Sequence, residues 1–176
     1  MEIKSLNHAY KWYAAYTDSR AEKKVSLELT NKGIDCFLPL KIEKRQWSDR
    51  IKVVENPLIR GYIFVKVSNR EYYEVLNTAG LRRYVCFEGC PTPIPENQIN
   101  DLRQFMQCLN TEVEVTSEQI TKGTFVRIVS GPLNGVSGEV VEIRGKRSIV
   151  LRFRDLGFCV HAKLGANKVE VVKKPL

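Results

Sequence analysis

Pro57-Leu58-Ile59-Arg60-Gly61-Tyr62-Ile63-Phe64-Val65 is the stretch on which the fold turns. From Gly61 it becomes an apolar and aromatic run that continues to Val67. Such a run reads as a central strand. Alternation puts Tyr62 and Phe64 on one face and Ile63 and Val65 on the other. Only one face can cover the domain's own helices, so the Tyr62/Phe64 face is the better candidate for a partner. Just upstream, Arg45-Gln46-Trp47-Ser48-Asp49-Arg50 sits inside a charged segment, residues 41–55. An arm so polar cannot be buried on both faces, so it reads as a projecting hairpin that turns at Ser48-Asp49.

Outward from that strand, residues 11–17 carry Trp12, Tyr13, Ala14, Ala15 and Tyr16 and read as a second central strand. Ser19 and Glu22 have the spacing of a capping box, which predicts a helix start. Ala21, Val25 and Leu29 give that helix an apolar face, Gly33 stops it, and residues 34–38 return as a strand. Ser68 and Glu71 repeat the box ahead of a helix lined by Tyr72, Val75 and Leu76, which ends at Ala79-Gly80. Residues 82–87 read as a strand. A loop with Pro91, Pro93 and Pro95 leads to a helix over 96–109 with Ile99, Leu102, Met106 and Leu109 on one side. The order β-α-β-hairpin-β-α-β-α predicts an α+β domain, a four-stranded, mostly antiparallel sheet with helices on one face.

Residues 110–121 show no core pattern and read as a linker. From Gly123 onward the texture changes to short β-branched runs between glycine turns: 125–129, 138–144, 148–153, 159–163 and 168–172. Five strands in about fifty residues predict a small barrel. The predicted organisation is therefore 1–109, a linker 110–121, and 122–176.

Charge follows the same division. The chain carries 28 Lys+Arg against 20 Asp+Glu, a net charge of +8. Residues 122–176 hold 11 basic and 4 acidic residues, residues 1–109 hold 17 and 13, and residues 110–121 hold three glutamates and no base. Two basic modules around an acidic break suggest an anionic partner, a nucleic acid or a nucleoprotein machine. The five cysteines are scattered and odd in number, which fits a reducing compartment rather than a disulfide framework. Cys86 and Cys90 have CxxxC spacing but lack the further ligands of a zinc site. No apolar run reaches the roughly 18 residues of a membrane span, and the N-terminal residues lack a signal peptide's apolar core. A cytoplasmic protein is expected. Catalytic patterns are missing as well: two histidines stand far apart, and Gly131-x-x-x-Gly135 lacks the Lys-Ser/Thr of a phosphate loop. Neither an enzyme nor a cofactor is expected.

The first 109 residues resemble the N-terminal domain of the NusG family of transcription elongation factors. The likeness rests on Trp12-Tyr13, the strand from Pro57 to Val65, Asn77-Thr78-Ala79-Gly80-Leu81-Arg82 and Pro93-Ile94-Pro95. The last 55 resemble a KOW domain through Gly123, Val126, Gly131-Pro132-Leu133, Gly138-Glu139-Val140 and Lys168-Val169-Glu170-Val171. A KOW string by itself is shared with ribosomal proteins, and the tandem is more specific. Arg45-Gln46-Trp47-Ser48-Asp49-Arg50 and Phe87-Glu88-Gly89 are further similar to the UpxY-type paralogs, which antiterminate capsular polysaccharide operons. A housekeeping NusG elongation factor and a ribosome-associated KOW RNA-binding protein are the alternatives.

The resemblance implies a protein that binds RNA polymerase and suppresses pausing without making or breaking a bond. It implies contact with the polymerase clamp helices through Tyr16, Ile59, Arg60, Tyr62 and Phe64. Arg60 departs from the proline usual in the family before Gly-Tyr. The gate-loop side falls near Glu71, Tyr72, Tyr73 and Glu74. Upstream or non-template DNA, or nascent RNA, would meet Lys24, Asn31, Lys32 and Arg70, near the end of the first helix and the start of the second. The hairpin adds Lys44, Arg45, Trp47, Arg50 and Lys52. In relatives the KOW domain recruits ribosomal protein S10 or termination factor Rho, and the matching loop residues here are Leu133, Leu156 and Phe158. A monomer that touches no membrane is expected.

Overall fold

Strand β1 (Lys11–Thr17) buries residues on both faces, as a strand in the middle of a covered sheet must. The computed structural model of the protein describes residues 9–46, 50–107, 113–116, 123–131, 133–143, 145–153, 156–164 and 169–172. The chain divides into two units, Met1–Glu96 and Asn97–Leu176.

In the first unit, β1 is followed by α1 (Glu22–Asn31), β2 (Asp35–Phe37), β3 (Leu40–Gln46), β4 (Ile51–Pro57), β5 (Tyr62–Val67), α2 (Tyr72–Leu76), β6 (Leu81–Tyr84), β7 (Cys86–Phe87) and β8 (Cys90–Pro91). The main sheet has the order β2-β5-β1-β6, and each neighbouring pair is antiparallel. The strand that opens the sequence reading thus lies at the centre, beside β1. Strands β3 and β4 form a hairpin with a sheet of their own, in register from Leu40↔Pro57 to Gln46↔Ile51. The expected turn at Ser48-Asp49 lies outside the described residues.

One face of the main sheet is closed by helices. Ala15, Ile63, Val65 and Val67 pack with Val25 and Leu29 of α1 and Val75 of α2, and Tyr72 and Leu76 lean against the same cluster. Burying each such aliphatic side chain contributes about 1.5–3 kcal/mol, so this cluster holds the helices to the sheet. Gly80 lets the chain turn tightly beneath α1. Its φ is +88°, and a Cβ there would stand 3.1 Å from Ala21 Cβ and 3.2 Å from Val25 Cγ2.

The start of α1 differs from expectation. Ser19 makes no cap, and the helix begins after Ala21 without a side-chain cap. Arg20 takes a left-handed φ of 63°, which breaks the geometry that a capping box needs. The Glu22 carboxylate is instead buried and accepts the Gly61 N–H at 2.8 Å. The second box is half kept: Glu71 Oε2 accepts from both the N–H and the hydroxyl of Ser68, while the helix itself starts one residue later.

Helix α3 (Glu96–Gln107) begins on the last residue of the first unit and runs on into the second. Its buried stripe is Ile99, Leu102 and Phe105. Phe105 replaces the expected Met106, because the second step along the stripe is i+3 and not i+4. Leu109 lies outside the described residues.

The second unit is a six-stranded antiparallel ladder with the order β14-β10-β11-β12-β13-β9. Strands β10 (Thr124–Ile128), β11 (Ser137–Ile143), β12 (Lys146–Phe153), β13 (Phe158–Lys163) and β14 (Val169–Val171) fall where the five expected runs lie. The sixth, β9 (Val113–Thr116), lies inside the expected linker and corrects it. Val113-Glu114-Val115-Thr116 alternates, Val113 is buried, and the strand pairs with β13 from Val113↔Ala162 to Thr116↔Cys159. Gly138 permits the close approach of β11 and β12, since a Cβ there would lie 2.7 Å from the Val150 carbonyl oxygen.

Polar residues of α3 hold the ladder. Gln98 Nε2 donates to the Arg152 carbonyl, and Gln104 Nε2 donates to the Asn134 carbonyl. Between them, burial pushes the Asp101 carboxyl up to about 6 from 3.8, against the smaller opposing pull of the Ser137 backbone N–H. The folded state therefore holds a proton that the unfolded state gives up. Stability is greatest below pH 3.8 for this group and falls as pH rises through 6. Asp101→Asn is expected to remove that slope and to raise stability at pH 7–8 by about 1–2 kcal/mol, measured by calorimetry across a pH series.

Candidate functional site

The sheet face away from α1 and α2 carries the residues of the strand that opens the sequence reading. Cross-strand register places Tyr62 against Tyr16, Phe64 against Ala14, and Lys66 against Trp12. The Tyr16 and Tyr62 rings lie 4.8 Å apart, and the Tyr62 hydroxyl donates to the Tyr16 hydroxyl at 3.2 Å. Burial, and then that hydrogen bond, push the Tyr62 hydroxyl well above the usual tyrosine range. It stays a proton donor at every physiological pH. Both tyrosines are half-buried, and Arg60 stands exposed in the turn before Tyr62.

Phe64 and Ile59 differ from the expected exposed patch. Phe64 is 0% exposed, stacked on Phe37 of β2 with ring centroids 6.1 Å apart, and Ile59 is buried. Both serve the packing of the unit. What this face leaves accessible is the Tyr16/Tyr62 end with its charged rim.

Arg83 is a member of that rim that the sequence reading did not find. It pairs with Tyr16 across β1 and β6, and its guanidinium carbon stands 5.1 Å from the Tyr16 ring centroid. The neighbouring Arg82 is engaged by Asp18 instead. Lys66 sits 6.0 Å from the Trp12 ring and is ion-paired to Glu96 at 2.7 Å.

The four residues of the second candidate surface separate. The Tyr72 ring stacks on Tyr84, centroids 4.3 Å apart and 12° between planes, so it belongs to the core. Glu71 is already engaged: Ser68 and the Tyr10 hydroxyl (2.8 Å) donate to its carboxylate, and these bonds hold it down to about 2. Tyr73, 56% exposed, and Glu74 remain at the surface.

The basic residues do not converge on the end of α1 and the start of α2. The Lys32 ammonium donates to Thr78 Oγ1 at 2.9 Å and to the Glu74 carbonyl at 3.4 Å, so it pins the end of α1 to the end of α2. A cation there answers the free carbonyls of a helix C-terminus. Arg70 is exposed in the turn ahead of α2, at the opposite end. Lys24 is ion-paired to Glu28 at 3.9 Å, and Asn31 is exposed. In the hairpin, Arg45 lies on β3 opposite Lys52, and Arg50 is exposed ahead of β4. Trp47 lies outside the described residues. Ile42, Ile51 and Val53 are exposed on the hairpin, and Glu55 ties it to α1 through Lys23 at 3.5 Å.

In the second unit, Leu133 is 1% exposed and Phe158 packs on Phe153 with centroids 5.2 Å apart. They are core residues, not an open surface, and Leu156 is half-buried. The ladder also encloses an ion pair, Arg152 Nε to Glu139 Oε2 at 2.8 Å, with the Gly123 N–H donating to the same carboxylate. Among the described residues, no group of three or more His, Cys, Asp or Glu is placed to hold a metal ion, and no helix is long and apolar enough to cross a membrane.

A family profile described as "Transcription termination factor nusG" matches residues 10–103, the span that contains the main sheet, the hairpin and most of α3. The chain belongs to the NusG family. The curated NusG of Staphylococcus carnosus, a transcription termination/antitermination protein, is 26% identical over 153 residues, 79% of this chain and 82% of that one. The NusG of Staphylococcus aureus is 27% identical over 149 residues, 77% and 80% of the two chains. A solved structure of Thermotoga maritima NusG covers 93% of each chain at 21% identity, with a TM-score of 0.42. NusG proteins are transcription factors that bind RNA polymerase, and not enzymes. This NusG-family chain is accordingly a transcription termination/antitermination factor.

Proposed function

We propose that this NusG-family protein is an operon-specific antiterminator of the capsular polysaccharide type. It docks on the clamp helices of RNA polymerase through Tyr16, Tyr62 and Arg60. Tyr73 and Glu74 face the gate loop. Arg50, Arg70 and the hairpin approach upstream DNA, and Arg45 and Trp47 lie in the stretch that resembles the specialised paralogs. Holding both sides of the polymerase cleft favours the elongating form over the paused one, a population shift that requires tighter binding to the elongating form. The observation that carries this reading is the half-exposed Tyr16–Tyr62 pair at the accessible end of the sheet face opposite α1 and α2. Tyrosines of this kind are frequent anchors of protein interfaces.

The test is Tyr62→Ala, with the fold checked by circular dichroism. Co-purified RNA polymerase is expected to fall about tenfold, and read-through of a long operon with it. Retention of both in a folded variant rules out this dock. Transcript profiles with and without the protein separate the specialised from the housekeeping reading. An effect confined to one operon supports the former, and a genome-wide effect supports the latter.

A further inference from the structure

Arg83, Tyr16 and Tyr62 form one row across three strands, β6, β1 and β5, because each is the register partner of the next. The order along the row is cation, ring, ring. Tyr62 spends its hydroxyl proton on Tyr16 Oη. The Tyr16 hydroxyl, having accepted there, directs its own proton away from Tyr62. The guanidinium of Arg83, exposed and leaning over the Tyr16 ring, carries only donors. Two donors, one of them charged, thus lie on the β6 and β1 part of one aromatic row.

We propose that this row is the charged end of the polymerase dock, and that it takes a single aspartate or glutamate carboxylate of the partner protein. The inference rests on the docking reading above and adds the chemistry of the group recognised. A carboxylate accepts from both donors at once, and a charged acceptor strengthens each bond. One guanidinium and one hydroxyl left to donate fit one carboxylate. A polynucleotide would instead call for a succession of cations along its phosphates. Lys cannot reproduce the site, since a compact ammonium lacks both the planar fork and the stacking on Tyr16.

The test measures affinity of the full chain for core RNA polymerase over a salt series, with Arg83→Glu, Arg83→Lys, Tyr16→Phe and Tyr62→Ala, each checked for fold. Arg83→Glu is expected to weaken binding about ten- to a hundredfold and to flatten its salt dependence. Arg83→Lys and Tyr16→Phe are expected to weaken it a few-fold. Wild-type affinity for Arg83→Glu overturns the proposal. If Tyr62→Ala still binds poorly in that case, the dock stands without a carboxylate, and if Tyr62→Ala also binds normally, the dock fails with it. Loss of bare single-stranded DNA binding by Arg83→Glu, with polymerase affinity intact, likewise overturns it in favour of a nucleic-acid surface.

Discussion

Phe64→Ala is expected to destabilise the first unit by about 3–5 kcal/mol, the cost of emptying a fully buried aromatic site. Phe64 has no exposed surface, and Phe37 stacks against it from the neighbouring strand. Strand β5 is central, so the cavity cannot relax outward as it could on an edge strand. Urea unfolding followed by Trp fluorescence reads this unit, because the chain's two tryptophans, Trp12 and Trp47, both lie in it. The same result separates two uses of the strand. Loss of polymerase binding by a Phe64 variant would report a damaged fold, whereas Tyr62→Ala, half-exposed one turn of the pleat away, reports the surface. A Phe64→Ala protein with wild-type stability would overturn its assignment to the core.

The second large effect is expected from Arg152→Ala. Its guanidinium is the charged partner of Glu139, whose side chain is 5% exposed. Removing it takes the charged partner from a buried carboxylate, at a cost of about 3–5 kcal/mol. The double change Arg152→Met with Glu139→Leu is expected to lie closer to wild type than Arg152→Ala, because a buried pair contributes little beyond its own desolvation. No tryptophan reports on this unit, so amide hydrogen exchange of Ser137–Ile143 and Lys146–Phe153 is the measurement. Unchanged protection in Arg152→Ala would mean that the carboxylate finds another partner.

Legibility from the sequence followed the range of the interactions involved. Strands β1 and β5 and the apolar face of α1 were readable because Trp12 to Tyr16, Gly61 to Val67, and Val25 with Leu29 carry period and apolarity within a few residues. The α1 cap was misread because the decisive partner of Glu22 is Gly61, far along the chain. Strand β9 was missed because four residues with a glutamate and a threonine bury only part of one face, and pairing with β13 supplies the rest. The candidate dock was half legible. Alternation assigned Tyr62 and Phe64 to the face away from the helices, but not that Phe37 would seal Phe64. Arg83 could not be found at all, since its place beside Tyr16 depends on a register that shifts between Tyr16 and Thr17.

Strand β9 also shortens a leash. Between the end of α3 at Gln107 and the start of β10 at Thr124, a fully extended chain could reach ~55 Å. With Val113–Thr116 hydrogen-bonded to β13, residues 108–112 alone can span at most ~20 Å between the helix and the strand. Four residues of backbone pairing therefore give β13 a paired edge and shorten the chain that joins α3 to the ladder.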